Sequence, residues 1–245
     1  MSARFIRASV SEEISMENLL LTRLPEDERE RLGPHLERVS LRHGDQAIVP
    51  DEPIRHIYFP VGCLLSLVTT MHDGSSVESG TIGREGMSGI PVVLDAVSTP
   101  MPTFCQVPGE ALRVRSEVFR ETYERSAGAR RLLNRYVHTI VVTGSHSAAC
   151  NRLHNLEQRF CKWLLMSSDG IGSDEVGITQ EYLAIMLGVR RSGVTEAAIR
   201  VREEGLIGHR RSHFRILNRP GLEAAACECY HATRAEYQRL FAPDA

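Results

Sequence analysis

The chain has 245 residues, 42% hydrophobic and 24% charged. This is an ordinary globular mix that excludes disordered, collagen-like and coiled-coil-only chains. At about 100–200 residues per domain, the length makes one large domain or two modest ones. Lys and Arg number 29 against 31 Asp and Glu, a net charge of −2, which taken as an average argues mildly against a nucleic-acid partner. Six cysteines are present, at 63, 105, 150, 161, 227 and 229. The first residues run through Arg4 and Arg7 into Glu12, Glu13 and Glu17 without an apolar secretory core. The apolar runs, such as 61–68 and 140–142, are too short to span a bilayer. The expectation is a soluble cytoplasmic protein with reduced thiols and no membrane partner.

Residues 14–38 are helical in pattern, with Ile14, Leu19, Leu20, Leu21 and Leu24 as the apolar positions. Pro25 ahead of Glu26, Asp27 and Glu28 reads as the first position of a helix. From 39 to 114 the texture is β. Turn signals recur at His43-Gly44-Asp45, Pro50-Asp51-Glu52-Pro53, Pro60-Val61-Gly62, His72-Asp73-Gly74, Gly83-Arg84-Glu85-Gly86 and Pro108-Gly109. Between them lie strand-like runs at 47–49, 54–59, 64–70, 77–81, 104–107 and 111–114. This spacing predicts a sandwich or barrel rather than βαβ units, and Asp73-Gly74 predicts a hairpin.

Ser116 reads as a helix N-cap. Residues 129–169 contain no proline, and Leu133, Val137, Ile140, Gly144, Ser147 and Asn151 step by four and three. That 3.5-residue period suits a helix pairing with another helix. A homodimer seam is the preferred expectation, with packing on its own domain as the alternative. Residues 170–177 read as a loop. Two short helices, a basic β segment at 206–217 and a C-terminal helix from about Pro220 follow.

The segment 178–204 carries the functional signal. Thr179 caps a first helix whose apolar face is Leu183, Met186 and Leu187. Gly188 supplies a left-handed residue that ends it, and Val189 fills the angle. A second helix follows with Val194, Ala198, Ile199 and Val201 inward. Arg190, Arg191, Ser192, Thr195 and Glu196 stay at its outer N-terminal end. This is helix-turn-helix arithmetic. The hairpin expected at 208–217 adds His209, Arg210, Arg211 and Arg215 as a basic wing that holds phosphates while the helix reads bases.

From about Leu19 to Arg219 the chain resembles the Crp/Fnr superfamily of transcription regulators. The residues that carry the resemblance are the β region, the long helix and Ile178-Thr-Gln-Glu-Tyr-Leu-Ala-Ile-Met-Leu-Gly-Val-Arg-Arg191. The resemblance implies an α+β protein: an N-terminal jelly-roll-like β-roll, a long dimerisation helix and a C-terminal winged helix-turn-helix. It implies a cyclic-nucleotide-binding-like sensor domain at 14–127, a dimerisation helix at 128–156 and a DNA-binding domain with a C-terminal helix at 157–245. It further implies a homodimer, joined through 129–156, on a two-fold symmetric site in double-stranded DNA, with RNA polymerase as a candidate partner. Arg191 falls where many members read DNA, and its fork suits guanine O6 and N7. Ser192 and Glu196 depart from the common pattern, so the family's half-sites do not transfer. Glu196 either accepts from a cytosine amino group or pairs with Arg200 four residues on, the second being preferred. Thr179, Gln180, Arg210 and Arg211 are expected on the phosphate backbone.

Relatives that bind cAMP use a glycine-glutamate turn for the ribose and an arginine-serine pair for the phosphate. Here Ile90 takes the acidic position, and no arginine lies between Arg84 and Arg113. A cyclic phosphate would lack its charge-assisted partner, so the usual cAMP mode is not expected. Gly86, Met87, Ser88, Gly89 and Ile90 remain candidates for another effector through their amides, or these glycines only serve tight turns. Thr139, Thr143 and Ser147 are candidate contacts from the helix. The controlling effector or redox signal is unidentified, and no resident cofactor is identified.

No metal site is expected. Cys227-Glu-Cys229 is a lone close pair, and His138, His146 and His154 recur every eight residues, about 80° apart on the helix. His43, His56 and His72 are isolated, without the convergent set a cupin-type enzyme needs. No nucleophile elbow, Walker loop or zinc-protease motif occurs, so no catalytic residue is expected. A ligand-sensing dimer or scaffold without DNA binding is the remaining alternative. The charge distribution opposes it: residues 187–219 hold eight arginines against three glutamates, leaving the rest of the chain at −7.

Overall fold

A computed structural model of the chain describes residues 17–241. The readings of the N-terminal leader and Ile14, the start of the 14–127 division and the end of the 157–245 division lie outside these residues. The chain divides into two compact units, one holding residues up to 65 and 82–138, the other 66–81 and 139 onward.

The first unit begins with helix α1 (Glu26–Leu32). Pro25 is its N-cap, so the helix starts one residue later than expected, and three acids fill the first turn, where the helix dipole favours them. The chain then runs through β1 (Glu37–Leu41), β2 (Gln46–Ile48), β3 (His56–Pro60), β4 (Leu64–Thr70) and β5 (Ser76–Ile82). A short helix α2 (Ile90–Val93), β6 (Thr103–Val107), β7 (Gly109–Arg115) and helix α3 (Ser116–Arg125) follow. β1, β7 and β3 form an antiparallel sheet in that order, with Val39 opposite Ala111 and Phe59 opposite Leu112. β2 pairs with β6. Ile57, Phe59, Leu112, Val114 and Phe119 make the core, and Phe59 meets Phe119 edge to face at 5.6 Å. Asn18 is fully buried and fully bonded. Its amide donates to the Pro60 and Gly86 carbonyls, and its oxygen accepts from the N–H groups of Leu20 and Leu21.

Two expectations change here. Ser116 is the first helical residue of α3, and Arg115 is the N-cap without a side-chain bond. β1 was not expected, because its charges mask any alternation. Those charges bind across strands, Glu37 to Arg113 at 2.9 Å and Arg38 to Glu110 at 2.6 Å.

β4 leaves the first unit after Leu65, and the β4–β5 hairpin belongs to the second. Its turn closes as Asp73-Gly74 predicts, with Gly74 at φ +83° and Ser75 N–H donating to Asp73. Helix α4 (Ala127–Leu153) runs through both units. It ends at Leu153, and Asn155 caps α5 (Leu156–Ile171) by a reciprocal box with Gln158.

The rest of the second unit is β8 (Glu175–Gly177), α6 (Gln180–Leu187), α7 (Arg191–Glu203), β9 (Ile207–Arg210), β10 (His213–Ile216), α8 (Arg219–Ala225) and α9 (Glu228–Phe241). β8 lies in the expected loop, where it pairs with β10 to complete a three-stranded sheet β8-β10-β9. The expected single C-terminal helix is two helices. Phe160, Leu164, Val176, Leu183, Val194, Val201 and Phe214 fill the unit's core.

Candidate nucleic-acid interface

The helix-turn-helix is built by short-range devices. Thr179 Oγ1 accepts from Tyr182 N–H at 3.2 Å and caps α6. Gly188, at φ +63°, ends it, and Val189 N–H returns to the Ala184 carbonyl at 2.9 Å. The inward face of α7 is Val194, Ala197, Ala198 and Val201, an i, i+3, i+4, i+7 stripe. Ile199, expected inward, falls off that stripe and is 39% exposed.

Arg190, Arg191, Ser192 and Glu196 are exposed at the outer end of α7. Thr195 is only half-exposed. Its hydroxyl lies 2.8 Å from Gln180 Oε1 and 3.1 Å from the Arg191 carbonyl. Thr195 and Gln180 therefore link the two helices. The preferred pairing of Glu196 with Arg200 is not formed. Arg200 binds Glu157 of α5 at 2.6 Å instead, and Glu196 has no ion-pair partner among the described residues.

The wing is the β9–β10 hairpin, with His213 opposite Arg210 and Phe214 opposite His209. Arg210 and Arg211 are exposed at its tip, and Arg211 holds φ +55°, a left-handed conformation that costs a non-glycine residue on the order of 1 kcal/mol. His209 stacks on Phe214 at 4.3 Å. Burial pushes its imidazole below the usual histidine range.

The basic segment is less uniform than its sequence total implies. Arg219 forms ion pairs with Asp169 and Glu223 and meets Tyr230 Oη at 3.1 Å. It holds α8 to α5 and α9, and its charge is neutralised. Arg215 lies 3.8 Å from Glu175. Arg190, Arg191, Arg202, Arg210 and Arg211 are exposed and have no ion-pair partner among the described residues. Five cations on the second helix, its N-cap and the wing suit a polyanion.

The candidate effector residues fall in different units. In the first, the Gly86, Met87 and Ser88 N–H groups donate to the Gly83 carbonyl, Tyr136 Oη and the Tyr58 carbonyl, at 3.0, 3.0 and 2.8 Å. Met87 and Ser88 are fully buried, and a side chain at Gly86 would strike the Tyr136 ring. Gly89, at φ +80°, opens α2 at Ile90. This turn's amides serve the fold. In the second unit Thr139 is buried, while Thr143 and Ser147 are half-buried on α4. Ser147 lines a cleft with Glu78, Thr81, Lys162 and Trp163. Glu78, on the hairpin, accepts from Trp163 Nε1 at 3.0 Å.

Comparison with known proteins agrees with this geometry. Residues 158–225 match the family model of the Crp-like helix-turn-helix domain. A putative transcriptional regulator of the Crp/Fnr family from Eubacterium rectale is similar with a TM-score of 0.63 and 16% identity, over 86% of this chain and 98% of that one. FixK2 from Bradyrhizobium japonicum gives 0.65 and 14%, over 78% and 98%. The c-di-GMP-responsive global regulator CLP of Xanthomonas campestris gives 0.60 and 14%, over 78% and 99%. No curated protein sequence matches. At these identities the structural likeness establishes the fold. The chain shares the fold of these structures, and its residues 158–225 match the Crp-like helix-turn-helix domain.

Proposed function

We propose that the protein is a sequence-specific regulator of transcription that binds a two-fold symmetric DNA site as a homodimer. The observation that carries this reading is the set of five arginines on α7, its N-cap and the wing that have no ion-pair partner among the described residues. Arg191 reads a base edge, with Arg190 and Ser192 on neighbouring bases or phosphates. Arg210 and Arg211 hold phosphates, and Thr179 lies at the backbone-facing end of α6. Gln180 and Thr195 act by positioning α7, and Glu196 is available to a cytosine amino group. A scaffold that had lost DNA binding would have no use for uncompensated charge at these positions.

The dimer reading is supported by the second half of α4. Val141 is 61% exposed. Nothing stands within 4 Å of a side chain built at Gly144, and Ala148 is exposed. These three follow i, i+3, i+7 spacing and leave a narrow apolar face for a second copy. Control by cAMP in its usual mode is disfavoured by the missing arginine and by the internal use of the Gly86–Ser88 amides. An effector of another kind is compatible with the fold, since the similar regulator CLP is c-di-GMP-responsive. RNA polymerase is a further partner under this reading.

In-vitro selection from random duplexes tests the proposal, repeated with candidate nucleotides and under oxidising and reducing conditions. A palindromic motif is expected. A library that returns no enriched two-fold motif under any condition would sink the reading, and condition-dependent enrichment would identify the signal.

A further inference from the structure

The clearest unexplained feature of the second unit is a convergence of four metal-ligating side chains. Cys150, His154, Cys227 and Cys229 place their ligand atoms within 4.8 Å of one another. Cys150 Sγ lies 3.5 Å from Cys227 Sγ, and Cys229 Sγ lies 3.7 Å from His154 Nδ1. A tetrahedral zinc ion with Zn–S of about 2.3 Å and Zn–N of about 2.05 Å sets its ligands about 3.8 Å (S···S) and about 3.6 Å (S···N) apart. The side chains already stand near those separations.

We propose that these four residues form a mononuclear zinc site that ties the C-terminal end of α4 to the start of α9. The inference goes beyond the DNA-binding reading and does not depend on it. Cys150 and His154 sit four residues apart, and His154 N–H continues the helical pattern to the Cys150 carbonyl at 3.1 Å. Both therefore project from one face. Cys227 and Cys229 flank Glu228, the first residue of α9, where Tyr230 N–H reaches the Cys227 carbonyl at 3.1 Å. The intervening Glu228 is 77% exposed, and its carboxylate lies 3.0 Å from His154 Nε2. That contact orients the imidazole. Nε2 carries the proton and donates to Glu228, which leaves the Nδ1 lone pair facing the thiols, the carboxylate–histidine arrangement typical of zinc ligands.

The three cysteines are 1–3% exposed, so the site is closed, as structural zinc sites are. Binding displaces three thiol protons to solvent and leaves one net negative charge. Two cations answer it. Lys162, the single lysine of the chain, is 8% exposed, and its ammonium acts on Cys150. The half-buried Arg159 guanidinium acts on Cys150 and Cys227. A disulfide between Cys150 and Cys227 would leave Cys229, His154 and the Glu228 contact unexplained. An iron–sulfur cluster places several atoms between its ligands and needs them further apart.

The test is metal analysis of the full-length protein, prepared in reductant with zinc available. One zinc per chain is expected, and cobalt in its place should show the visible absorption of a tetrahedral thiolate site. Cys229→Ser should lose stoichiometric metal. Should that variant fail to fold, Glu228→Gln alters only an exposed side chain and should weaken zinc affinity about 10–100-fold, read by competition with a chromophoric chelator. The proposal is overturned if the reduced protein takes up neither zinc nor cobalt, if it holds iron with a cluster chromophore, if Cys150 and Cys227 are found disulfide-linked in reductant, or if Glu228→Gln leaves zinc affinity unchanged.

Discussion

Arg191 is the first residue of α7 and is exposed with no ion-pair partner among the described residues, so its fork is available to guanine O6 and N7. Arg210 is exposed at the wing tip, where the proposed function puts the phosphate backbone. The two should fail differently. Arg191→Ala should cost about 1–3 kcal/mol on the selected site and relax preference at one base pair, whereas Arg210→Ala should weaken all sequences alike and lower the salt slope by about 1. Anisotropy titrations on matched and mismatched duplexes separate them. An Arg191→Ala protein as tight and selective as wild type would remove that residue from the reading head. Thr179→Ala removes the α6 cap and should cost about 1 kcal/mol in denaturant unfolding. His209 adds a pH dependence. Its folded-state pKa is lowered by burial, so the unfolded chain binds the proton more readily. Its contribution is fully present above the ordinary histidine pKa of about 6.5 and is lost as pH falls through and below it. Melting temperature should drop between about pH 7.5 and about pH 5.5, and His209→Phe, which keeps a ring against Phe214, should reduce that drop. Part of it should remain, because His56 is shifted in the same direction by burial.

At the scale of elements, α4 shows what periodicity reveals and what it leaves open. The 3.5-residue step picked out a seam, but Leu133 on that step is 1% exposed and belongs to the core of the first unit. The open apolar face lies further along, at Val141, Gly144 and Ala148. Val141→Glu should raise the dimer dissociation constant at least about tenfold, or about 1.4 kcal/mol. Sedimentation over a concentration series reads this, and an unchanged dimer would place the interface elsewhere. The break after α4 is written locally, in the capping box of Asn155 and Gln158. β1 and β8 were hidden for another reason. Each is short and polar, and each becomes a strand only because β7 or β10 supplies its hydrogen bonds.

Over the whole molecule, ion pairing narrows the basic segment to fewer available cations than sequence counting indicates. Arg200 and Arg219 are spent on Glu157, Asp169 and Glu223, while five arginines of α7, its N-cap and the wing have no ion-pair partner among the described residues. With Arg191 on a base, four per head and eight per dimer are left for phosphate, and a slope of log affinity against log salt near −7 follows. A slope close to zero would mean that these arginines do not meet DNA. The hairpin's place in the second unit adds a contact, Trp163 to Glu78 across 85 positions of sequence. Trp163→Phe removes that bond and nothing else polar.

The amino-acid sequence by itself determined what acts over one or two turns of chain. The Thr179 cap, the Gly188 stop, the Asp73-Gly74 turn and the β9–β10 hairpin were all legible. These signals are complete within a few residues, because a cap or a turn satisfies its own backbone groups. Only the tertiary structure decided which groups meet at long range. It bound Arg200 to Glu157, turned the Met87 and Ser88 amides inward to Tyr136 and Tyr58, and brought His154 to Cys229 across 75 positions. Such meetings depend on how helices pack in three dimensions. Sequence spacing does not encode this, so two incidental-looking cysteines became half of a four-ligand set.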